Sequence, residues 1–156
     1  MKKLPYSEGT LFAVPLECGG YGVGLITRMT SRARVLLCYF FGPFRVSVPD
    51  LADLSTLRPE DAVESQMIGD LSLYRNEWPI IGKLPTWNRS EWPVPIFVRR
   101  DKLSEKAWLV YYSDEDPNAI EKEEPAPYPS AQYPTDCMYG SGAVEVVLAK
   151  LLCKAE

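Results

Sequence analysis

Apolar and polar positions alternate with a period of two through the first quarter of the chain. Over 10–17, Phe12, Val14 and Leu16 fall on one face, which predicts a strand, and Pro15 marks an edge or a bulge. Cys18-Gly19-Gly20 follows as a turn, because paired glycines supply the positive φ that tight hairpins need. A second strand is predicted over 21–30, with Tyr21, Val23, Leu25 and Thr27 on one face. Gly22 and Gly24 lie on the other, where a missing side chain permits a bend or close packing. Positions 35–41 are apolar on both faces, as suits a central strand covered from two sides. These runs are close in sequence, so an antiparallel meander is the expected arrangement.

The pattern is weaker further on. Positions 49–64 are polar, with one helical turn expected near Pro59-Glu60-Asp61. Positions 66–74 alternate only partly in phase across Gly69 and read as a strand. Short strands are predicted at Ile80-Ile81 and over 96–100. Another is predicted over 108–112, with Trp108, Val110 and Tyr112 on one side and Leu109 and Tyr111 on the other. Positions 114–134 carry Asp114, Glu115, Asp116, Glu121, Glu123 and Glu124 against Lys122, then Pro125, Pro127, Pro129 and Pro134. That composition predicts an extended, solvated loop. Ser141 is placed to cap a terminal helix over 141–153, on which Val144, Val147, Leu148, Leu151 and Leu152 form one stripe. Lys150 and Lys154 suit the negative end of its dipole. Val144, Val146 and Val147 lower its intrinsic propensity, so the helix needs a sheet to pack on. The expected class is α+β and mainly antiparallel β. A curved sheet or partly open small barrel carries a packed C-terminal helix, in one domain spanning 1–156.

Composition narrows the function. The formal net charge is −4 and the isoelectric point is near 5.0, opposite in sign to what phosphate neutralisation requires, so nucleic acid is a poor expectation. The histidine count of 0 removes Ser-His-Asp and Cys-His activation and most general-base schemes. The 4 cysteines, Cys18, Cys38, Cys137 and Cys153, form no C-x-x-C pair, which argues against a zinc site. Met1-Lys2-Lys3 looks like the start of a signal peptide, but Pro5, Ser7 and Glu8 interrupt any apolar region, and no stretch has the length to cross a bilayer. A cytoplasmic location and therefore four unpaired thiols are expected. No carboxylate dyad, phosphate loop or nucleophile elbow stands at recognisable spacing, so neither catalytic residues nor a cofactor is expected.

Three segments remain as candidates for binding. Trp78-Pro79, Trp87 and Trp92-Pro93 interleave indoles with prolines, and Trp is a residue type that dominates interface hot spots. Trp78, beside Ile80 and Ile81, reads as a core plug. Trp87 and Trp92 flank Asn88, Arg89, Ser90 and Glu91, which leaves open a surface contact or a half-buried anchor. Arg28, Arg32, Arg34, Arg99, Arg100 and Lys102 would make a basic strip if they shared one sheet surface, or else charge a strand edge against aggregation. The acidic run is either a solubilising loop or a field that steers a basic partner. For a protein that acts by binding another protein, the expected anchors are Trp87 and Trp92. Glu121, Glu123 and Glu124 would set the rate of encounter.

Gly9, Phe12-Ala13-Val14-Pro15-Leu16 and Tyr21-Gly22-Val23-Gly24-Leu25-Ile26 are followed, some fifty residues later, by Gly69-Asp70 leading to Trp78-Pro79-Ile80-Ile81-Gly82. Together these stretches resemble the immunity protein 26 family of bacterial polymorphic-toxin systems, over roughly residues 9–100. The acidic, proline-rich region and the terminal helix lie outside the resemblance. It implies a small cytosolic protein, made beside a toxin, that binds the toxin and silences it in the producing cell. It carries over no toxin-contacting residues. The alternative from another class is a small β-barrel that binds nucleic acid through the arginines and aromatics; a hydrolase with unconventional acid chemistry is the third.

Overall fold

A computed structural model describes residues 4–30 and 34–153. The expectations for Met1, Lys2 and Lys3, for Arg32 and for Lys154 lie outside the described residues. The hairpin foreseen from the N-terminal alternation consists of β1 (Thr10–Pro15) and β2 (Tyr21–Met29), paired antiparallel with Phe12 opposite Gly24. The turn between them uses Gly19 at φ 96°. β3 (Val35–Arg45) pairs with β2, and β4 (Glu64–Gly69) pairs with β3, both antiparallel, which completes the meander. β5 (Ile80–Lys83) joins the outer side of β1, and Pro15 lies past the end of that pairing, where a missing N–H leaves no ladder bond unmade.

β6 (Phe97–Asp101), β7 (Lys106–Tyr112) and β8 (Ile120–Ala126) form a separate antiparallel sheet of three strands. The chain then returns to the first sheet. Val98 pairs with Thr135, after which β9 (Met138–Tyr139) lies parallel to β4, giving the six-stranded order β5-β1-β2-β3-β4-β9. A terminal helix, α2 (Ser141–Leu152), follows a short one, α1 (Leu71–Tyr74). The α+β class expected from the pattern holds, and the larger sheet is open, with β5 and β9 at its edges.

The apolar run in β3 is two-sided because both faces of the sheet are covered. Leu36, Cys38 and Phe40 face α2 and pack with Phe12, Val14, Ile26, Trp78, Val144 and Leu148. Tyr39 and Phe41 face the other way, with Leu11, Val23, Leu25, Leu54, Leu84 and Trp92. Leu37 and Met67 meet Phe97 and Val110, which seats the small sheet against the large one. The glycines of β2 permit this packing. A Cβ on Gly24 would stand 2.3 Å from the Phe12 ring, and one on Gly22 would stand 3.1 Å from a Leu152 methyl. Phe12 in turn stacks on Trp78, with ring centroids 5.5 Å apart and planes within 4°. The Trp78 Nε1–H donates to Glu145 Oε2 at 2.9 Å, so this buried indole is satisfied by the helix side chain.

Five expectations are corrected. Positions 66–74 are not one strand: pairing ends at Gly69, and α1 begins at Leu71. The acidic segment is not wholly a loop, because 120–126 form β8. Its charges and Pro125 are tolerated there because β8 is a sheet edge, where a solvated charge discourages further pairing. Ser141 is the first helical residue and Gly140 the cap. On the stripe, Leu151 is exposed while Ala149 is buried with Val144 and Leu148. Finally, Cys18 and Cys153 are bonded, with Cα atoms 6.1 Å apart, and Cys38 and Cys137 are free. A separation of 135 residues conceals this pair in the sequence; the fold creates it by laying the end of α2 against the β1–β2 turn.

Candidate partner-binding surface

The segment between β5 and β6 places the two tryptophans. Residues Arg89–Glu91 form a single 3-10 turn, and the Asn88 side chain accepts from the Ser90 N–H at its start. The turn lifts Asn88, Ser90 and Glu91 outward and points the Trp92 indole inward. Trp92 is 3% exposed and makes T-shaped contacts with Tyr39 and Phe41, at 5.2 and 6.0 Å between centroids. Tyr39 Oη donates to the Pro93 carbonyl, fixing the chain just beyond it. Trp87 stacks on Trp92 at 6.4 Å and is half-buried, at the rim. Gly9, at φ 94°, lies under its ring, where a Cβ would come within 2.8 Å. Trp92 is therefore part of the core, and Trp87 alone of the pair presents itself toward solvent. Polar neighbours in sequence were a poor guide, because the turn sends them the other way.

Among the described residues, Arg28, Arg99 and Arg100 do not line up as a strip. Arg28 is buried; its guanidinium donates to Thr27 O at 2.7 Å and to Asp114 Oδ1 at 2.7 Å. Asp114 also accepts from Arg89 at 2.5 Å, and Arg89 reaches Glu8 at 2.9 Å. One carboxylate thus ties β2, the segment after β7 and the tryptophan turn together. Hydrogen bonds from Arg28 and then Arg89 hold its pKa below the usual carboxylate range. Arg99 and Arg100 point to opposite faces of β6 by strand alternation. Arg99 pairs with Glu123 and lies 5.4 Å above the Trp108 ring. Arg100 donates to Pro129 O at 2.6 Å and to Thr135 Oγ1 at 2.9 Å, holding the 129–135 loop.

The acidic side chains are likewise divided. Along β8, Lys122 and Glu124 share the face of Tyr111, Glu123 lies on the other face, and Glu121 falls at a bulge where the register shifts. Glu124 accepts from Tyr111 Oη at 2.5 Å and pairs with Lys122 at 3.2 Å; these bonds, Tyr111 first, lower its pKa. Glu121 and Glu123 are exposed, with Glu123 partly neutralised by Arg99. The structure thus brings Glu123 and Glu124 into two separate ion-pair clusters and leaves Trp87 at the rim of another part of the molecule.

Two surface features escaped the sequence reading. A cavity of about 480 Å³ opens between the outer edge of β4 and the 131–135 loop, with Gln66 and Arg100 in its lining. It is assembled from segments some seventy residues apart, so no local signal announces it. Past Phe40, where β4 pairing stops, β3 runs on to Arg45 and exposes Phe44 at 37%, and the bent segment that follows exposes Val46 and Val48 at 82 and 37%. Their alternation with Arg45 and Ser47 is visible in the sequence, although the strand itself ends at Arg45. Among the described residues, no group of three or more Cys, Asp or Glu side chains is placed to hold a metal ion, and no helix is long and apolar enough to cross a membrane.

No curated protein matches the chain, and no solved structure does. A family model does: that of immunity protein 26, over residues 7–109. The matched stretch runs from just before β1 into β7, so it includes the meander, the Trp78 plug and the tryptophan turn. It leaves out β8, β9 and α2. Well over half of the chain is covered, with the glycine-aromatic hairpin and the Trp-Pro-Ile-Ile-Gly segment inside it, and the chain belongs to the immunity protein 26 family.

Proposed function

We propose that this chain is an immunity protein that binds a cognate bacterial toxin in the producing cell and neutralises it by direct contact, without catalysing a reaction. The observation that carries the reading is the family match over residues 7–109. The geometry supports a division of labour. Trp87, half-buried and backed by Trp92, is a rigid aromatic surface that loses little entropy on being covered. Glu121 and Glu123, exposed on an edge strand, add a negative field that accelerates encounter with a basic partner. Of the arginines that prompted the nucleic-acid alternative, Arg28, Arg99 and Arg100 are held by Asp114, Glu123 and loop carbonyls, which leaves that alternative with less support.

The test is binding kinetics against the toxin domain encoded beside this chain, with toxin activity followed in the same titration. The proposal expects activity to vanish at one equivalent. Trp87→Ala should weaken the complex by at least about 2 kcal/mol, the threshold of a hot spot, while leaving the fold intact. A toxin domain that neither binds nor loses activity refutes the proposal.

A further inference from the structure

The Cys18–Cys153 bond joins a residue of the family-matched part of the chain to the end of a helix that lies outside it. That helix has little to hold it in isolation. It is 12 residues long, near the lower limit for a helix in water, and carries Gly142 and three β-branched valines. Its position comes from Val144, Leu148 and Ala149, buried on the sheet, and from Glu145 accepting from Trp78. Its last turn rests on bare backbone: a Cβ on Gly42 would stand 2.8 Å from a Leu152 methyl. The disulfide lies immediately beyond this turn. Cys18 is exposed and Cys153 half-buried, so one sulfur of the bond is open to a soluble thiol.

We propose that Cys18 and Cys153 form a redox-governed clamp on α2, which locks the helix over the Phe12–Trp78 core in oxidising surroundings and frees its C-terminal end in reducing ones. Closure is thiol–disulfide exchange with a small-molecule or protein disulfide. The Cys18 thiolate attacks one sulfur of the oxidant, breaking its S–S bond and releasing one thiol. The Cys153 thiolate then attacks the Cys18 sulfur of the mixed disulfide and releases the second. Two protein thiols are oxidised and one disulfide is reduced to two thiols. Opening is the reverse, beginning at the exposed Cys18 sulfur. Because reducing compartments keep thiols reduced and oxidising ones preserve disulfides, the state of the clamp follows the compartment that the protein occupies. The clamp concerns the helix alone and is independent of which partner the protein binds.

Hydrogen exchange on the full chain tests this, in a Cys137→Ser background so that the exposed third thiol takes no part. Oxidised and phosphine-reduced protein are compared, alongside Cys18→Ser and Cys153→Ser. The expected result is that amides of 144–152 exchange at least about tenfold faster once the bond is open, while those of β1–β3 keep their protection. Reduction of the otherwise intact chain decides the matter if either serine variant folds poorly. Equal protection of α2 with and without reductant overturns the proposal. So does a uniform loss across helix and sheet, since the bond would then be a general staple. So does the finding that both Cys18 and Cys153 react with a thiol reagent in the oxidised protein.

Discussion

Replacing Trp92 by alanine separates a core indole from an interface indole. The side chain is 3% exposed and touches Tyr39, Phe41 and Trp87, in a cluster that also holds Leu11, Leu25 and Leu84. Truncating a large buried aromatic costs about 3–5 kcal/mol, from lost transfer free energy and the cavity left behind. The T-shaped contacts with Tyr39 and Phe41 add roughly 0.5–1.5 kcal/mol per pair, which places Trp92 at the upper end of that range. Since a domain has only about 5–15 kcal/mol in total, the variant should be marginal at 25 °C. Urea denaturation followed by far-UV circular dichroism measures the loss, with an unchanged slope against denaturant indicating that two-state unfolding is retained. Trp87→Ala is the control. Its ring lies at the rim, and it should lose markedly less stability. If Trp92→Ala costs under about 0.5 kcal/mol, within the range of ordinary surface changes, the indole is not in the core and the packing described for the 84–96 segment is wrong.

Other consequences follow from the same structure. Leu148→Ala should cost about 2–5 kcal/mol and Leu151→Ala a small fraction of that, because the first is 1% and the second 38% exposed; equal losses by denaturation would mean that α2 is rotated. Asp114 has a folded pKa below its unfolded value, so its contribution is present above the unfolded carboxylate range, near pH 4, and is lost as pH falls through the lower, folded value. Asp114→Asn should therefore lower stability at pH 7 and flatten its decline on acidification, in thermal melts between pH 2 and 7; parallel profiles for the two proteins would contradict the Arg28–Asp114–Arg89 bridge. Neutralising Glu121, Glu123 and Glu124 together should slow association with the toxin at low salt and leave dissociation nearly unchanged, and an effect confined to dissociation would place these side chains inside the contact.

Much of the architecture was legible because the physics that sets it is local. Alternation over 10–41 located β1, β2 and β3, and the two-sided apolar run in β3 foretold that both sheet faces are covered. Helical spacing located α2 to within a residue. What failed depended on contacts distant in sequence. β8 carries the composition of a solvated loop and becomes a strand only because β7 offers it an edge. Trp92 has polar neighbours, but a single 3-10 turn faces them outward and buries the indole. Arg28 sits in an alternating strand like any solvated arginine, and its burial depends on a carboxylate 86 residues away. The Cys18–Cys153 pair is a product of the tertiary fold, and a rule about compartments carries no information on which thiols the fold brings together.

The most direct test of the central claim is isothermal titration of the intact chain with the toxin domain encoded beside it, at physiological salt, with residual toxin activity assayed at each point. The expected result is a single one-to-one transition whose end coincides with complete loss of activity, and a weaker transition for Trp87→Ala with the fold retained. Absence of heat and of inhibition, with the chain folded and the toxin active, would contradict it.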